Sequence, residues 1–290
     1  MLTLITACSG TDVDIGGYLG DSLDAGIADA HVDTATPPVG PVGTWELHLR
    51  ASTATIEQRD GFYGQTPTQH TLGIRSVKLY RNASDTSPLT IFESEDHVDA
   101  GLGDGDDTIV ARALTSKLTA GTFTMARVGI THTRYTVAAT MHALGQNIGG
   151  SFRNLHVLSD GVTLDANVRD RGYFDFSFSS NGQPLGAQSG ENGPLPAFAT
   201  TSELRLDTST RQAFFEFPVH LTLPNGAPDG TKVYFDVNTY QNFRWKDETA
   251  AGYTTGVFDC TPTSYEPVVS FGANSFSINI EFPSSTGGSQ

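Results

Sequence analysis

Methionine and cysteine are rare in this sequence, and charged residues are fewer than usual. The 290 residues include three methionines and two cysteines, and 17% of them are charged. Two cysteines are too few for a fold held together by several disulfides. They allow a single bridge, between Cys8 and Cys260. No apolar run approaches the length of roughly 20 residues that a membrane-spanning helix requires. Any membrane attachment therefore has to come from the amino terminus.

Basic residues are scarce as well, and no lysine or arginine precedes Arg50. The formal net charge is -15, and the segment from Asp12 to Asp33 contains aspartates without a basic residue among them. An acidic surface without a basic stripe repels the phosphate backbone of nucleic acids. We therefore expect no nucleic-acid partner, and the simplest role of the acidity is solubility.

The residues that are plentiful favour strands and turns. Glycine, threonine, serine and phenylalanine are abundant, and no segment combines helix caps with a helical periodicity. Instead, apolar and polar residues alternate with a period of two in several short segments, which is typical of half-buried strands. These segments are 44–52, 72–81, 89–93, 108–114, 122–141, 162–168, 174–179, 215–223, 233–237 and 276–282.

Asp-Gly and Asn-Gly turns separate many of these strands, and two antiparallel sheets have to cover each other's apolar faces. We therefore predict an all-β protein, with an antiparallel β-sandwich of jelly-roll or Greek-key type over residues 44–282. The Gly/Pro-rich segment 183–199 is expected to be a loop, and it is the best candidate for an internal domain boundary. The Ser/Gly-rich residues 283–290 are expected to form a disordered tail.

Two local features of the strands are also predicted. Segments 215–223 and 233–237 are the most strongly patterned, and we expect them to form a hairpin in the core. Pro218 has no amide hydrogen to donate, so its position requires a sheet edge or a bulge. In segment 122–141 the apolar face changes near His132, which predicts a bulge or a corner there.

The amino terminus contains a short motif that bears on location. The sequence Ile5-Thr6-Ala7-Cys8 resembles the lipobox of bacterial lipoproteins, in which two small residues precede a lipidated cysteine. The resemblance implies that residues 1–7 are the truncated remnant of a signal peptide and that Cys8 carries the lipid anchor. Ser9 is similar to the residue that directs such proteins to the outer membrane, where they are periplasmic or surface-exposed. The alternative is an ordinary leader, with Cys8 free or paired to Cys260.

The residues after this motif have the composition of a tether. Segment 8–43 is rich in Gly, Asp, Ala, Thr and Pro, and Tyr18 is its one aromatic residue. Such a segment does not bury enough apolar area to fold. A flexible chain of this length spans roughly 30 to 35 Å, which would hold a folded body clear of the lipid head groups.

Acidic residues are concentrated between Glu93 and Asp107, among glycines, and we expect this segment to be a loop. Calcium takes about six to eight oxygen ligands, so one ion would offset the repulsion between these carboxylates. Calcium is therefore a candidate cofactor, although the spacing matches no named motif and a solvated hairpin turn is the alternative. The histidines His132, His142 and His156 are too scattered to indicate a metal triad. The residues assigned to calcium are Asp99, Asp104, Asp106 and Asp107.

A stretch near residue 245 mixes aromatic rings with hydrogen-bonding groups, as a sugar-binding surface requires. Its candidate ligand-binding residues are Tyr240, Asn242, Arg244, Trp245, Asp247 and Tyr253. In the alternative reading, Phe243 and Trp245 plug one end of the core and leave Arg244 and Asp247 as a salt bridge.

No catalytic motif is recognisable, since the G-x-S-x-G, H-E-x-x-H and phosphate-loop patterns are all absent. The sequence therefore favours a lipid-anchored cell-envelope protein whose non-catalytic sandwich binds a glycan, a polymer or a surface protein. One alternative is a lipid-anchored extracellular hydrolase acting on polysaccharide, for which Asp247, Glu248, Asp259 and Glu266 are available carboxylates. The other alternative is a structural subunit of a surface assembly.

Overall fold

The computed structural model describes residues 43–58, 60–193, 204–248 and 252–283. The strands in these ranges are β1 (Thr44–Ser52), β2 (Tyr63–Gln65), β3 (Gln69–Tyr80), β4 (Leu89–Gly101), β5 (Asp107–Leu114), β6 (Gly121–Ala143), β7 (Gln146–Val157), β8 (Val162–Leu164), β9 (Asn167–Arg169), β10 (Phe174–Ser180), β11 (Gln183–Gly190), β12 (Leu204–Asp207), β13 (Gln212–Leu223), β14 (Thr231–Asn238), β15 (Phe243–Trp245), β16 (Asp259–Cys260), β17 (Val268–Phe271) and β18 (Ser275–Glu281). One 3-10 helix covers Thr115–Lys117. The lipobox, the tether up to residue 42 and the tail from residue 284 lie outside the described residues.

The part of the chain that the structure describes contains no α-helix, which confirms the prediction of an all-β protein. Strand β1 illustrates the cause, because Trp45, Leu47 and Leu49 are buried at alternate positions and a strand directs such residues to one face. Within the same residues, no helix is long and apolar enough to cross a membrane.

Two sheets form most of the body. The smaller has the order β18-β14-β1-β5, in which β1 runs parallel to β14 and the other neighbours are antiparallel. The larger sheet has nine strands and contains the path β11-β10-β7-β6-β13-β12. Strand β3 joins β4 to this sheet by pairing with both β4 and β6, and β16 pairs with the end of β6.

Strand β6 is 23 residues long and passes through both halves of the body. Its first half pairs with β13 and its second half with β7. Even-numbered residues are buried from Ala126 to Ile130, whereas odd-numbered residues are buried from Tyr135 to Met141. The register with β3 shifts between Leu72 and Ile74, opposite this change, so a bulge reverses the faces of the strand as predicted.

The body contains two main apolar clusters. The first core lies between the two sheets, where the rings of Phe217 and Phe235 stack with centroids 5.8 Å apart. The second core lies between the second half of β6, with β7 and β10, and a small sheet of order β17-β15-β2. A third, small cluster holds the β8–β9 hairpin against β7 through Leu155, Val157 and Val162.

The predicted hairpin of 215–223 and 233–237 is wrong. Strand β13 belongs to the nine-stranded sheet and β14 to the four-stranded sheet, so the intervening segment crosses the sandwich instead of turning back. Both strands bury their apolar faces in the first core. Alternation specifies which face of a strand is buried, and that part of the prediction holds. The bulge at Pro218 is confirmed, because the register with β6 shifts between Pro218 and Leu221.

Three other segment boundaries differ from the prediction. Segment 93–107 is not a loop throughout, since β4 continues to Gly101 with Val98 and Ala100 turned toward the core. Segment 183–199 begins with β11, a strand at a sheet edge, where proline and glycine are tolerated. Segment 162–168 is a tight hairpin, because Asp165 and Ala166 adopt φ values of 48° and 63°.

Candidate functional site

The aromatic stretch near residue 245 forms part of the second core. Phe243 is 0% exposed and Trp245 is 2% exposed, in the short strand β15 between β2 and β17. The ring of Phe258 packs edge-on against both, with centroids 4.9 Å and 5.7 Å away. A ring that stacks on a sugar has to be accessible, so the burial of Trp245 agrees with the plug alternative.

The polar residues of this stretch also have internal partners. Asn242 is buried, and its side-chain amide donates to the carbonyl of Gly272. Arg244 does not form the expected salt bridge with Asp247, because its buried guanidinium pairs with Asp60 and donates to the carbonyl of Phe62. The Arg244–Asp247 pair of the plug alternative is therefore wrong.

The remaining predicted ligand residues are dispersed. The carboxylate of Asp247 accepts a hydrogen bond from the amide of Gly256 at 2.8 Å. The ring of Tyr253 packs on His142, with centroids 4.8 Å apart. The carbonyl of Tyr240 accepts a hydrogen bond from the side chain of Asn274 at 2.6 Å. Asp247 and Tyr253 lie in the connection between β15 and β16, whereas Tyr240 lies between β14 and β15.

The four aspartates assigned to calcium have different neighbours. Asp104 accepts a hydrogen bond from the amide of Thr53 at 2.9 Å, and Asp106 accepts one from the amide of Gly103 at 2.7 Å. Asp107 lies at the start of β5, with its carboxylate 2.6 Å from Nδ1 of His48. The structure thus separates Asp99, which lies in β4, from the three carboxylates around the β4–β5 turn. The calcium site stays a prediction.

The carboxylates considered for hydrolysis hold a loop together. Glu266 is fully buried and accepts hydrogen bonds from the amides of Glu248 and Asp259, at 2.7 Å and 2.8 Å. Burial raises the pKa of Glu266. Asp259 is also buried, and its carboxylate lies 2.7 Å from Nε2 of His142 and accepts from the amide of Thr254 at 2.8 Å. The carboxylate oxygens of Glu266 and Asp259 therefore already have partners within the chain.

Cys260 follows Asp259 in β16 and carries a buried thiol that forms no disulfide within the described residues. Burial, reinforced by the negative charge of Asp259, raises the pKa of this thiol to about 12. The protonated form is a weak nucleophile, so Cys260 is unsuited to nucleophilic catalysis at neutral pH. Cys8 lies outside the described residues.

A cavity of about 290 Å³ opens where the two cores meet. Its apolar wall includes Leu72, Leu102, Leu158, Phe215, Val237 and Phe276. The loop after β17, with Gly272 and Ala273, contributes another side. The cavity lies beside the bulge at which β6 changes faces, and its lining includes residues of the first core together with Phe271, which packs against the second.

His70 and Thr133 supply polar groups to this cavity. Nδ1 of His70 accepts a hydrogen bond from the side-chain amide of Asn242 at 3.3 Å, so Nε2 carries the hydrogen toward the hydroxyl of Thr133 at 3.1 Å. Burial lowers the pKa of His70 to about 4, and the ring is therefore neutral at pH 7. The cavity thus combines an apolar wall with a small uncharged polar corner.

Sequence reasoning missed this cavity because its lining residues come from strands spread between β3 and β18. The change of parity near His132 was the one local signal that two cores meet there. Comparison of the chain with protein-family models, curated proteins and solved structures found no match.

Proposed function

We propose that this chain is a lipid-anchored protein of the bacterial cell envelope whose β body binds a ligand without catalysis, and that the cavity between the cores receives an apolar part of that ligand. The observation that carries the proposal is the cavity of about 290 Å³, with its apolar wall and its polar corner of His70 and Thr133. Ligand pockets in proteins usually have about 300 to 1,000 Å³ and the same combination of an apolar lining with few polar groups.

The chemistry of the wall narrows the class of ligand. Sugars need several hydrogen-bonding partners as well as an accessible aromatic ring, whereas this wall is formed mainly by aliphatic and phenyl groups. An alkyl or aromatic group would bury its surface there, at about 25 cal/mol for each Å² removed from water. The ligand is therefore a small apolar molecule, or an apolar substituent of a polymer or a surface protein.

The location rests on the amino terminus. The motif Ile5-Thr6-Ala7-Cys8 resembles a lipobox, and segment 8–43 has the composition of a tether. A lipid on Cys8 would attach the chain to the outer membrane, and a span of roughly 30 to 35 Å would let the body meet its ligand away from the bilayer. The same anchor would suit either side of the outer membrane.

The cavity is tested with N-phenyl-1-naphthylamine, an uncharged probe whose fluorescence rises in apolar surroundings. We expect saturable binding of one probe to the chain carrying Cys8→Ser. Ala273 lines the cavity and packs against the first core, so Ala273→Leu should reduce the affinity at least about tenfold by filling the space. Ala187→Leu, at an exposed position of β11, is the matched control and should bind as before. Equal binding by both variants, or no saturable binding, would refute the cavity as a ligand site.

The anchor is tested separately. Bacteria that express the chain behind a complete signal peptide are grown with an alkyne-bearing fatty acid, and the protein is examined for incorporated label. We expect labelling that disappears in Cys8→Ser. Label that persists in this variant would contradict the anchor while leaving the cavity experiment unaffected.

A further inference from the structure

Three side chains that bind metals in other proteins converge beside β3, outside the first core. His97 and Asp99 lie two residues apart in β4, and they alternate with Val98 and Ala100, which pack toward the core. His132 comes from β6, at the bulge where the strand changes faces. One ligand atom from each of the three lies within 4.8 Å of the others.

The absence of a side chain at Gly73 permits this convergence. Strand β3 separates β4 from β6, and Gly73 is the residue of β3 opposite Asp99. A Cβ atom at Gly73 would lie 2.5 Å from Nδ1 and 2.7 Å from Cε1 of His132. The imidazole therefore occupies the space above the glycine and reaches across one strand toward Asp99.

The nitrogen atoms that face the centre of the cluster are both Nε2. Oδ1 of Asp99 lies 3.3 Å from Nε2 of His97 and 3.3 Å from Nε2 of His132. The two imidazole rings are nearly perpendicular, with centroids 4.8 Å apart and an interplanar angle of 77°. In tetrahedral coordination with bonds of about 2.0 to 2.1 Å, neighbouring ligand atoms are about 3.3 to 3.4 Å apart, so both spacings around Asp99 suit one zinc ion.

His132 supplies an independent indication of a ligand. The residue is 0% exposed, yet among the described residues its Nε2 finds no hydrogen bond of acceptable geometry. The nearby carboxylate of Asp99 is at an ion-pair distance but does not satisfy the directional requirement. A buried polar group without a partner is unfavourable, and a metal ion would engage its lone pair directly.

The opposite nitrogen of the His132 ring has a neighbour that suits a metal-bound histidine, because Nδ1 lies 3.1 Å from the hydroxyl of Thr131 at hydrogen-bond geometry. Nδ1 of His97 lies 3.2 Å from the carboxylate of Asp96, which is an ion-pair distance without hydrogen-bond geometry. Metal-binding histidines commonly direct their second nitrogen to a carboxylate or another acceptor, which fixes the ring and its tautomer. Thr131, His132 and the centre of the cluster thus follow an acceptor–histidine–metal order.

From this geometry we propose that His97, Asp99 and His132 bind one divalent transition-metal ion of the zinc class. Two imidazoles and one carboxylate suit zinc and its transition-metal neighbours, whereas calcium takes about six to eight oxygen ligands. The site therefore differs from the calcium site predicted from the sequence, and it shares Asp99 alone with that prediction. It does not depend on the lipid anchor or on the cavity.

The test uses the full chain without a histidine tag and with Cys8→Ser, so that neither a tag nor that thiol binds metal. The protein is treated with chelator and titrated with Zn²⁺ against a chromogenic zinc indicator. We expect one ion per chain. Asp99→Asn and His97→Gln should each weaken binding at least about tenfold, since loss even of an outer-shell partner typically has that effect. His220→Gln, in which an exposed histidine of β13 is replaced, is the matched control and should bind like the parent.

Co²⁺ provides a second readout that reports on geometry. Binding at this site should produce the visible absorption bands of low-symmetry, four- or five-coordinate cobalt, and Asp99→Asn should abolish them. Asp99 and His97 are accessible in part, so these variants are suitable even if a change at the buried His132 prevents folding. Zinc binding that is unchanged in both variants, or no binding by the parent, would overturn the proposal.

Discussion

The guanidinium of Arg244 forms a two-point ion pair with the carboxylate of Asp60, which lies 184 residues earlier in the chain. Arg244 is 3% exposed, and it also donates to the carbonyl of Phe62 at 2.6 Å. The pair therefore fastens the loop before β2 to the strand β15 that closes the second core. Loss of one partner from such a pair leaves a buried charge without compensation.

We expect Asp60→Asn to lower the free energy of unfolding by about 2 to 4 kcal/mol, somewhat less than for a fully buried pair because Asp60 is partly exposed. Asp247→Asn is the matched control, since that carboxylate accepts one hydrogen bond in a loop, and its effect should be below about 1.5 kcal/mol. Urea unfolding of both variants decides between the two carboxylates. Similar losses in the two variants would contradict the pairing.

Trp245 provides a test of the plug that closes the second core. Removing a fully buried aromatic side chain usually lowers stability by about 3 to 5 kcal/mol, so Trp245→Ala should do so here. Leu185→Ala, at an exposed position of β11, should change stability by less than about 0.5 kcal/mol. Thermal or urea unfolding measures both, and a mild effect of Trp245→Ala would indicate an accessible ring instead of a core residue.

The alternation of apolar and polar residues predicted the strands that bury one face in the first core. A period of two shows only which side of a strand is apolar. It could not tell whether β13 and β14 pair or face each other, since both arrangements bury the same residues. The acidic composition of β4 suggested a loop because the outward face of the strand is polar. The sequence did not show that β4 continues its pairing with β3 as far as Gly101.

The candidate sites were less predictable for a related reason. The cavity is lined by residues of several strands, and the His97–Asp99–His132 cluster depends on a glycine in the strand between them. Residues that come together from different strands have no fixed spacing along the sequence, so neither site could be found as a motif. Arg244 shows the same limit, because sequence proximity favoured Asp247 and the fold supplies Asp60.

Stability should fall when the pH is lowered from 7 to 5, in part because two histidines are buried without charge. Burial lowers the pKa of both His70 and His156 to about 4 in the folded chain, whereas about 6.5 is usual in an unfolded one. Between these values the unfolded chain binds more protons, so the free energy of unfolding rises with pH in this window and levels off above it. Each histidine should account for about 2 kcal/mol of the difference between pH 7 and pH 5.

His156→Phe isolates one of these contributions. The ring of His156 stacks on Phe271, so phenylalanine fits the aromatic surroundings, and the loss of stability between pH 7 and pH 5 should shrink by about 2 kcal/mol. His220→Phe removes an exposed histidine and should leave the difference as it is in the parent. Urea unfolding at the two pH values provides the measurement. A pH difference that is the same in all three proteins would show that His156 does not titrate with a lowered pKa.

The thiol of Cys260 should be inert while the chain is folded. Its buried position and a pKa of about 12 keep it protonated at pH 8, and thiolate is the reactive form. In a Cys8→Ser chain, we expect a disulfide reagent such as dithionitrobenzoate to react with one thiol in urea and with almost none in buffer. Rapid reaction of the folded protein would indicate that β16 opens or that the thiol is accessible.

The contact between Gly73 and the His132 ring can be tested without any metal. Alanine at position 73 would place its Cβ on the imidazole and on the side chain of Thr131, so one of these groups or the backbone of β3 has to move. Such overpacking usually lowers stability by about 1 to 3 kcal/mol, and we expect Gly73→Ala to fall in this range when measured with chelator present. Gly149→Ala in β7 is the control, because a Cβ there meets no atom of the described residues within 4 Å and its effect should be close to zero. If Gly73→Ala were as stable as Gly149→Ala, the ring of His132 would not lie above the glycine. The position of this ring beside Asp99 would then be contradicted.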